Sequence, residues 1–184
     1  MTYLNFLGGV GTVTGSKYLL EIGRRKILID CGLFQGLKQL RLRNWDKFPI
    51  DPAKIDAVIL THAHLDHSGY LPLLIKNGFS GPVYCTLGTR DLCSILLPDS
   101  GYLLERDAEF ANRHGFSKHA PALPLYTEKQ ARACLERLVI KDFGQHFKVA
   151  PETHVQLHPA GHILGAAIVE LNIGRTRIVF SGDL

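Results

Sequence analysis

The sequence reads as an α/β chain, bordering on α+β, in which helices cover a β-sheet. Three observations predict this: strand-like alternation at both ends, helix signals gathered in the middle, and a short, wholly apolar segment, Ala57–Leu60, of the kind buried on both faces of a sheet. With 184 residues the chain suits one domain with a substantial core.

Thr2–Leu7 alternates as a strand and is followed by a glycine-rich turn. Ser16–Glu21 and Lys26–Asp30 form a hairpin about Gly23-Arg24. Residues Phe34–Pro49 lack clean periodicity and read as a loop or short helix. After Ala57–Leu60, a helix is expected over Gly69–Asn77, with Ser68 as N-cap and Gly78 as its stop. Val83–Cys85 is another short strand. Asp91–Leu97 and Gly101–Arg113 read as helical, interrupted near Pro98 and stopped by Gly115. Thr127-Glu-Lys-Gln130 has capping-box spacing and opens a helix to about Leu138. Four strands close the chain: Gln145–Val149, Thr153–Leu157, Ala166–Ile173 and Thr176–Phe180, the last two meeting at Gly174-Arg175.

Hydrophobic residues make up 46% and charged residues 21%, which excludes a disordered chain. A net charge of +4 is compatible with a polyanionic substrate but too small to demonstrate one. The opening residues lack the basic start of a signal peptide, and no apolar run approaches the ~20 residues of a membrane span, so no membrane association is expected. The four cysteines, Cys31, Cys85, Cys93 and Cys134, form no C-x-x-C pair and read as reduced, buried thiols of a cytoplasmic protein. Cys31 stands out because it follows Asp30 at a candidate site.

The chemistry concentrates in His62-x-His64-x-Asp66-His67, four potential metal ligands in a six-residue window at the end of a buried strand. Burying such groups unpaired is costly, so this grouping points to metal rather than to ordinary core or surface histidines. Two imidazoles can begin one site, and an imidazole with a carboxylate can begin a second. His162 follows Gly161 in a turn between two β segments, and Asp183 follows the apolar strand ending at Phe180. Asp30 closes another strand, either as a turn carboxylate or as an outer group orienting a ligand.

In this order, Asp30, His62-x-His64-x-Asp66-His67, His162 and Asp183 resemble the first four motifs of the metallo-β-lactamase superfamily. Thr12-Val-Thr-Gly-Ser16 and Leu28-Ile-Asp-Cys-Gly-Leu-Phe-Gln-Gly36 are similar to segments of the β-CASP nucleases. The likeness is nearest to the branch of the cleavage and polyadenylation specificity factor endonuclease and its prokaryotic relatives, and runs from Thr2 to Leu184.

The resemblance implies an αββα sandwich and two zinc ions. His62, His64 and His162 would bind the first, Asp66 and His67 the second, and Asp183 both; manganese and iron remain compatible with the ligand type. Asp30, Asp66, His67 and Asp183 would form the catalytic set, and two metals ~3.5–4 Å apart can share a hydroxide that attacks a phosphodiester. The implied substrate is RNA, single-stranded by preference.

In the family, a β-CASP insertion and a carboxyl-terminal completion follow the Ser181-Gly-Asp183 motif and supply a further histidine ligand. Residues 1–184 are therefore expected to be the amino-terminal part of a metallo-β-lactamase domain, poorly active alone and prone to homodimerise or self-associate. Two other functions compete: a small-molecule hydrolase acting on a thioester or lactam, and a non-catalytic metal-binding scaffold. Gly8-Gly-Val-Gly11 leads into a strand and lacks nucleotide-loop spacing. Lys38, Arg41, Arg43 and Lys47 could meet phosphates but read first as a solvated face, and His158 is weighed as an outer partner of His162.

Overall fold

The amino-terminal alternation becomes an antiparallel ribbon in the computed structural model, which describes residues 1–184. Strand β1 (Thr2–Gly8) pairs with β2 (Lys17–Ile22), and β2 turns through Gly23, at φ +59°, into β3 (Arg25–Ile29). Three parallel strands extend this sheet: β4 (Ala57–Ile59), β5 (Val83–Cys85) and β6 (Leu138–Ile140), giving the order β1-β2-β3-β4-β5-β6. A second, antiparallel sheet contains β7 (His146–Ala150), β8 (Thr153–Pro159), β9 (Ala167–Ile173) and β10 (Thr176–Phe180), in the order β10-β9-β8-β7.

Two cores follow from strand alternation. Leu28, Val58 and Leu60 face the helices, packing with Leu71, Leu74 and Leu97; Ile27, Ile29 and Ile59 face the second sheet, packing with Val155, Leu157, Val169 and Leu171. Each fully buried aliphatic side chain is worth ~1.5–3 kcal/mol relative to exposure, so a one-residue slip of β3 or β4 would sacrifice both cores. The arrangement is the helix–sheet–sheet part of an αββα sandwich. The outer face of the second sheet, carrying His154, Gln156, His158 and Glu170, is not buried.

The helices are α1 (Lys38–Leu42), α2 (Leu65–Ser68), α3 (Leu71–Lys76), α4 (Leu87–His114) and α5 (Glu128–Cys134). None is long and apolar enough to cross a membrane. Gly115 ends α4 in the left-handed conformation, and the Thr127–Gln130 capping box is formed.

Three sequence expectations need correction. The chain stays helical through Pro98, which is buried, and three residues later α4 meets the start of α5: a Cβ on Gly101 would stand 2.7 Å from the Glu128 backbone nitrogen. That contact overrides the local cost of a helical proline. Ser68 does not cap α3. It ends α2, its hydroxyl donating to the carbonyls of Ala63 (2.8 Å) and His64 (3.1 Å), and α3 starts at Leu71. The helix after Thr127 stops at Cys134, and Leu138–Ile140 pairs in parallel with β5 as β6. Three apolar residues carry no periodicity of their own.

All four cysteines are free and buried, and burial pushes the Cys31 thiol up to about 12. Cys31 belongs to the helix-side core rather than to the site chemistry.

Candidate metal centre

Four strand ends meet at one edge of the two sheets. Beyond β4, the Thr61 carbonyl accepts a 2.8 Å hydrogen bond from the Ala167 amide, tying the first sheet to the second where the histidine segment leaves. His62 and His64 follow in extended chain, and the single turn of α2 carries Asp66 and His67 round to the same place. Three backbone bonds hold this turn against the chain leaving β3 and the residue before β2: Cys31 to the His67 carbonyl (2.7 Å), Leu33 to the Leu65 carbonyl (2.8 Å) and Ser16 to the Asp66 carbonyl (2.8 Å). Gly32 permits this approach, since a Cβ there would fall 1.6 Å from the Asp66 carbonyl oxygen. Gly182 does the same for the last ligand: at φ +59° it lies over Thr61, leaving Asp183 turned into the cluster.

His62, His64, His162 and Asp183 form a group whose donor atoms all lie within 4.8 Å of one another. His64 Nδ1 is 3.1 Å from both His62 Nε2 and His162 Nε2, and Asp183 Oδ2 is 3.8 Å from His62 Nε2 and 3.6 Å from His162 Nε2. A zinc ion ~2.0–2.1 Å from each of four tetrahedral donors places neighbouring donors roughly 3.3 Å apart, so this set fits one metal ion. His64 Nδ1 has a single hydrogen or lone pair to share between two facing nitrogens, whereas one cation can serve all three. Asp66 and His67 stand beside this group rather than in it. His67 Nε2 is 3.2 Å from Asp183 Oδ1 and 3.9 Å from Asp66 Oδ2.

Asp30 organises the buried side of the cluster. Its carboxylate accepts from the Thr61 amide (2.8 Å), the Thr61 hydroxyl (3.0 Å), the Ser16 hydroxyl (3.2 Å) and His67 Nδ1 (2.7 Å). The hydroxyl of Thr61, donating to Asp30, is free to accept from His62 Nδ1 at 3.0 Å. One carboxylate thus sets two tautomers, protonating His67 and His62 at Nδ1 and turning both Nε2 lone pairs into the site. Asp30 holds this position at φ +57°, a left-handed conformation uncommon for a residue other than glycine, which persists where surrounding bonds over-determine it.

Burial, reinforced by neighbouring His67, lowers the His62 pKa to about 4, which keeps the imidazole neutral and able to ligate near neutral pH. For His67, burial pulls the same way, but the Asp30 hydrogen bond and the charges of Asp30, Asp183 and Asp66 outweigh it and hold the pKa above the ordinary value. A cavity of about 450 Å³ opens beside His67 and Asp183, with Phe6, Tyr18 and Phe180 among its walls.

All seven residues singled out from sequence therefore lie at this edge, but in unequal positions: four converge, Asp66 and His67 flank them, and Asp30 lies behind. His158 is elsewhere, on β8, with Nε2 3.3 Å from Glu170 Oε2 in a contact not aligned as a hydrogen bond. Sequence reasoning missed Thr61 and the hydroxyl role of Ser16. Thr61 carried a usable signal, because a polar residue ending a wholly buried strand must find a partner.

The metallo-beta-lactamase superfamily profile matches residues 10–184. The chain belongs to the metallo-β-lactamase superfamily. Among curated relatives it is 37% identical over 183 residues to the transcription termination factor FttA of Methanocaldococcus jannaschii, covering 98% of this chain and 27% of that protein. It is 36% identical over 178 residues to Ribonuclease TTHA0252 of Thermus thermophilus, covering 96% of this chain and 36% of the relative. The chain thus spans about a quarter to a third of these relatives' length. Solved structures share the superfamily fold at low identity: a Cronobacter sakazakii metallo-beta-lactamase mutant (TM-score 0.56, 17% identity, 95% of this chain, 57% of that one) and YhfI of Bacillus subtilis (TM-score 0.55, 17% identity, 98% and 62%).

Proposed function

We propose that these residues form the metal-binding part of an enzyme that hydrolyses phosphodiester bonds in RNA in the cytoplasm. The reading rests chiefly on the convergence of the donor atoms of His62, His64, His162 and Asp183. The names of the relatives, a ribonuclease and a transcription termination factor, favour RNA over a small molecule. The Thr12–Ser16 and Leu28–Gly36 segments favour the β-CASP branch.

His62, His64 and His162 would hold a first zinc ion, and Asp66 with His67 a second. Asp183 turns Oδ2 toward the first group and Oδ1 toward His67, so one carboxylate can serve both. When bound, zinc supplies Lewis acidity and makes a water molecule nucleophilic at neutral pH. Asp30 keeps the His67 proton at Nδ1 and, through Thr61, the His62 proton at its own Nδ1. The cavity beside Asp183 leaves room for a phosphodiester to approach from the exposed side.

The test is to incubate the zinc-loaded protein with single-stranded RNA, a lactam and a thioester. RNA cleavage lost in both His62→Ala and Asp183→Ala supports the proposal. Lactam or thioester hydrolysis without RNA cleavage assigns a small-molecule hydrolase. Stoichiometric zinc with no hydrolysis of any substrate, by this chain or by a protein of the relatives' full length that contains it, assigns a scaffold.

A further inference from the structure

A second polar cavity lies on the helix-covered side of the first sheet and shares no residue with the metal cluster. It has a volume of about 180 Å³ and is bounded by Lys17, Arg43, Asp46 and Lys47 with the rings of Phe34 and Tyr70. Lys17 and Ser16 are consecutive, so strand alternation sends them to opposite faces: the Ser16 hydroxyl to Asp30, the Lys17 side chain to the face carrying Leu19.

Lys17 is only 3% exposed. Its ammonium lies 4.5 Å from the Phe34 ring centroid and 4.8 Å from that of Tyr70. Its single hydrogen bond, to the Gly15 carbonyl, is long at 3.4 Å. An ammonium has three N–H donors, so this one is buried with most of its bonding capacity unused and no carboxylate paired to it. The Arg43 guanidinium stands 4.0 Å from the centroid of the same Phe34 ring. Aromatic faces soften the cost of burying cations but do not neutralise them. The lining carries three cations against one carboxylate, Asp46, which makes no ion pair with any of them.

We propose that this cavity binds a phosphate group, with the Lys17 ammonium at its floor and the Arg43 guanidinium at its rim. An oxyanion there would take up the free Lys17 donors and separate two like charges that share one ring. Its size suits a single tetrahedral anion with water, and cations on several sides suit phosphate better than a planar carboxylate. The phosphate could arrive as free orthophosphate or as a phosphodiester of a nucleic-acid strand. The inference stands apart from the reading of the metal cluster.

The test uses the full chain stripped of metal by a chelator, so that orthophosphate has no cation at the histidine cluster to bind. Orthophosphate is titrated against acetate at matched ionic strength, followed by the fluorescence of Trp45, the one tryptophan, which adjoins Asp46. The expected result is a saturable response to orthophosphate alone, unchanged in His62→Ala and weakened at least ~10-fold in Lys17→Met and Arg43→Gln. Arg43 is exposed, so its substitution keeps the test valid should Lys17→Met fold poorly. A single-stranded oligoribonucleotide that displaces orthophosphate identifies the phosphodiester source, and failure to displace it identifies the free anion. No saturable response in the metal-free protein, or an Arg43→Gln response equal to the original, overturns the proposal.

Discussion

The two sides of the metal cluster are held by different means. The His62 and His67 side chains are 1% and 6% exposed and are tied through Thr61 and Asp30 into a network spanning three strand ends. His162 and Asp183 are 25% and 43% exposed, and their side chains have no comparable outer partner. One half of the site is therefore set by folding alone. The other is brought near by glycine turns and needs the ion itself to fix it. The difference separates stability from metal affinity: a change on the braced side should move both, a change on the open side only the second.

Asp30→Asn is the strongest way to break that comparison. It puts an amide among four donors that all require an acceptor, so chemical denaturation should show a loss of ~1–3 kcal/mol. Zinc affinity should fall roughly 10–100-fold as the His67 and His62 tautomers are released. A variant with normal affinity and lowered stability would show that Asp30 serves the fold alone.

Behind the braced side, on the opposite face of β2 from the Ser16 hydroxyl, lies a buried charge that costs stability, and pH should reveal it. Burial lowers the Lys17 pKa from 10.5 to about 8. Below pH 8 the folded chain carries the whole cost of the ammonium. Between pH 8 and 10.5 the folded chain releases a proton that the unfolded chain keeps, so stability due to this group rises with pH. Buried cysteines act oppositely above pH 9, since Cys31, Cys85 and Cys93 stay protonated only when folded. The difference between Lys17→Met and the original isolates the lysine. In phosphate-free buffer the variant should be more stable at pH 7 by on the order of 2–3 kcal/mol, a gap that closes toward pH 10.5. A constant gap would mean that Lys17 is not desolvated.

Asp183→Asn is the smallest in stability and sharpens the contrast with Asp30. Its unfolding free energy should stay within ~0.5 kcal/mol of the original while zinc affinity drops. Equal destabilisation by the two substitutions would erase the distinction between the halves.

Much of the candidate site was legible because its ligands are chemically unusual where they stand: His62 to His67 pack four potential ligands at the end of an apolar strand. The order of strands and helices was legible for a similar reason, as period and capping residues mark them locally. What escaped depends on residues distant in sequence. Thr61, Ser16 and the left-handed Asp30 acquire their roles only when three strand ends meet. Pro98 is tolerated because Gly101 lets α5 approach, and β6 exists because β5 offers it an edge. Lys17 falls inside the strand expected over Ser16–Glu21, with nothing local to single it out. Its burial follows from Phe34 and Tyr70 closing over it, which no local pattern records.

The central claim is that three histidines and one carboxylate of this chain hold a metal ion. Zinc K-edge X-ray absorption on protein loaded with one equivalent tests it directly. The account predicts a nitrogen and oxygen shell at ~2.0–2.1 Å with scattering from three imidazole rings, falling to two in His162→Ala. A sulfur shell near ~2.3 Å, or a spectrum unchanged by His162→Ala, would contradict it.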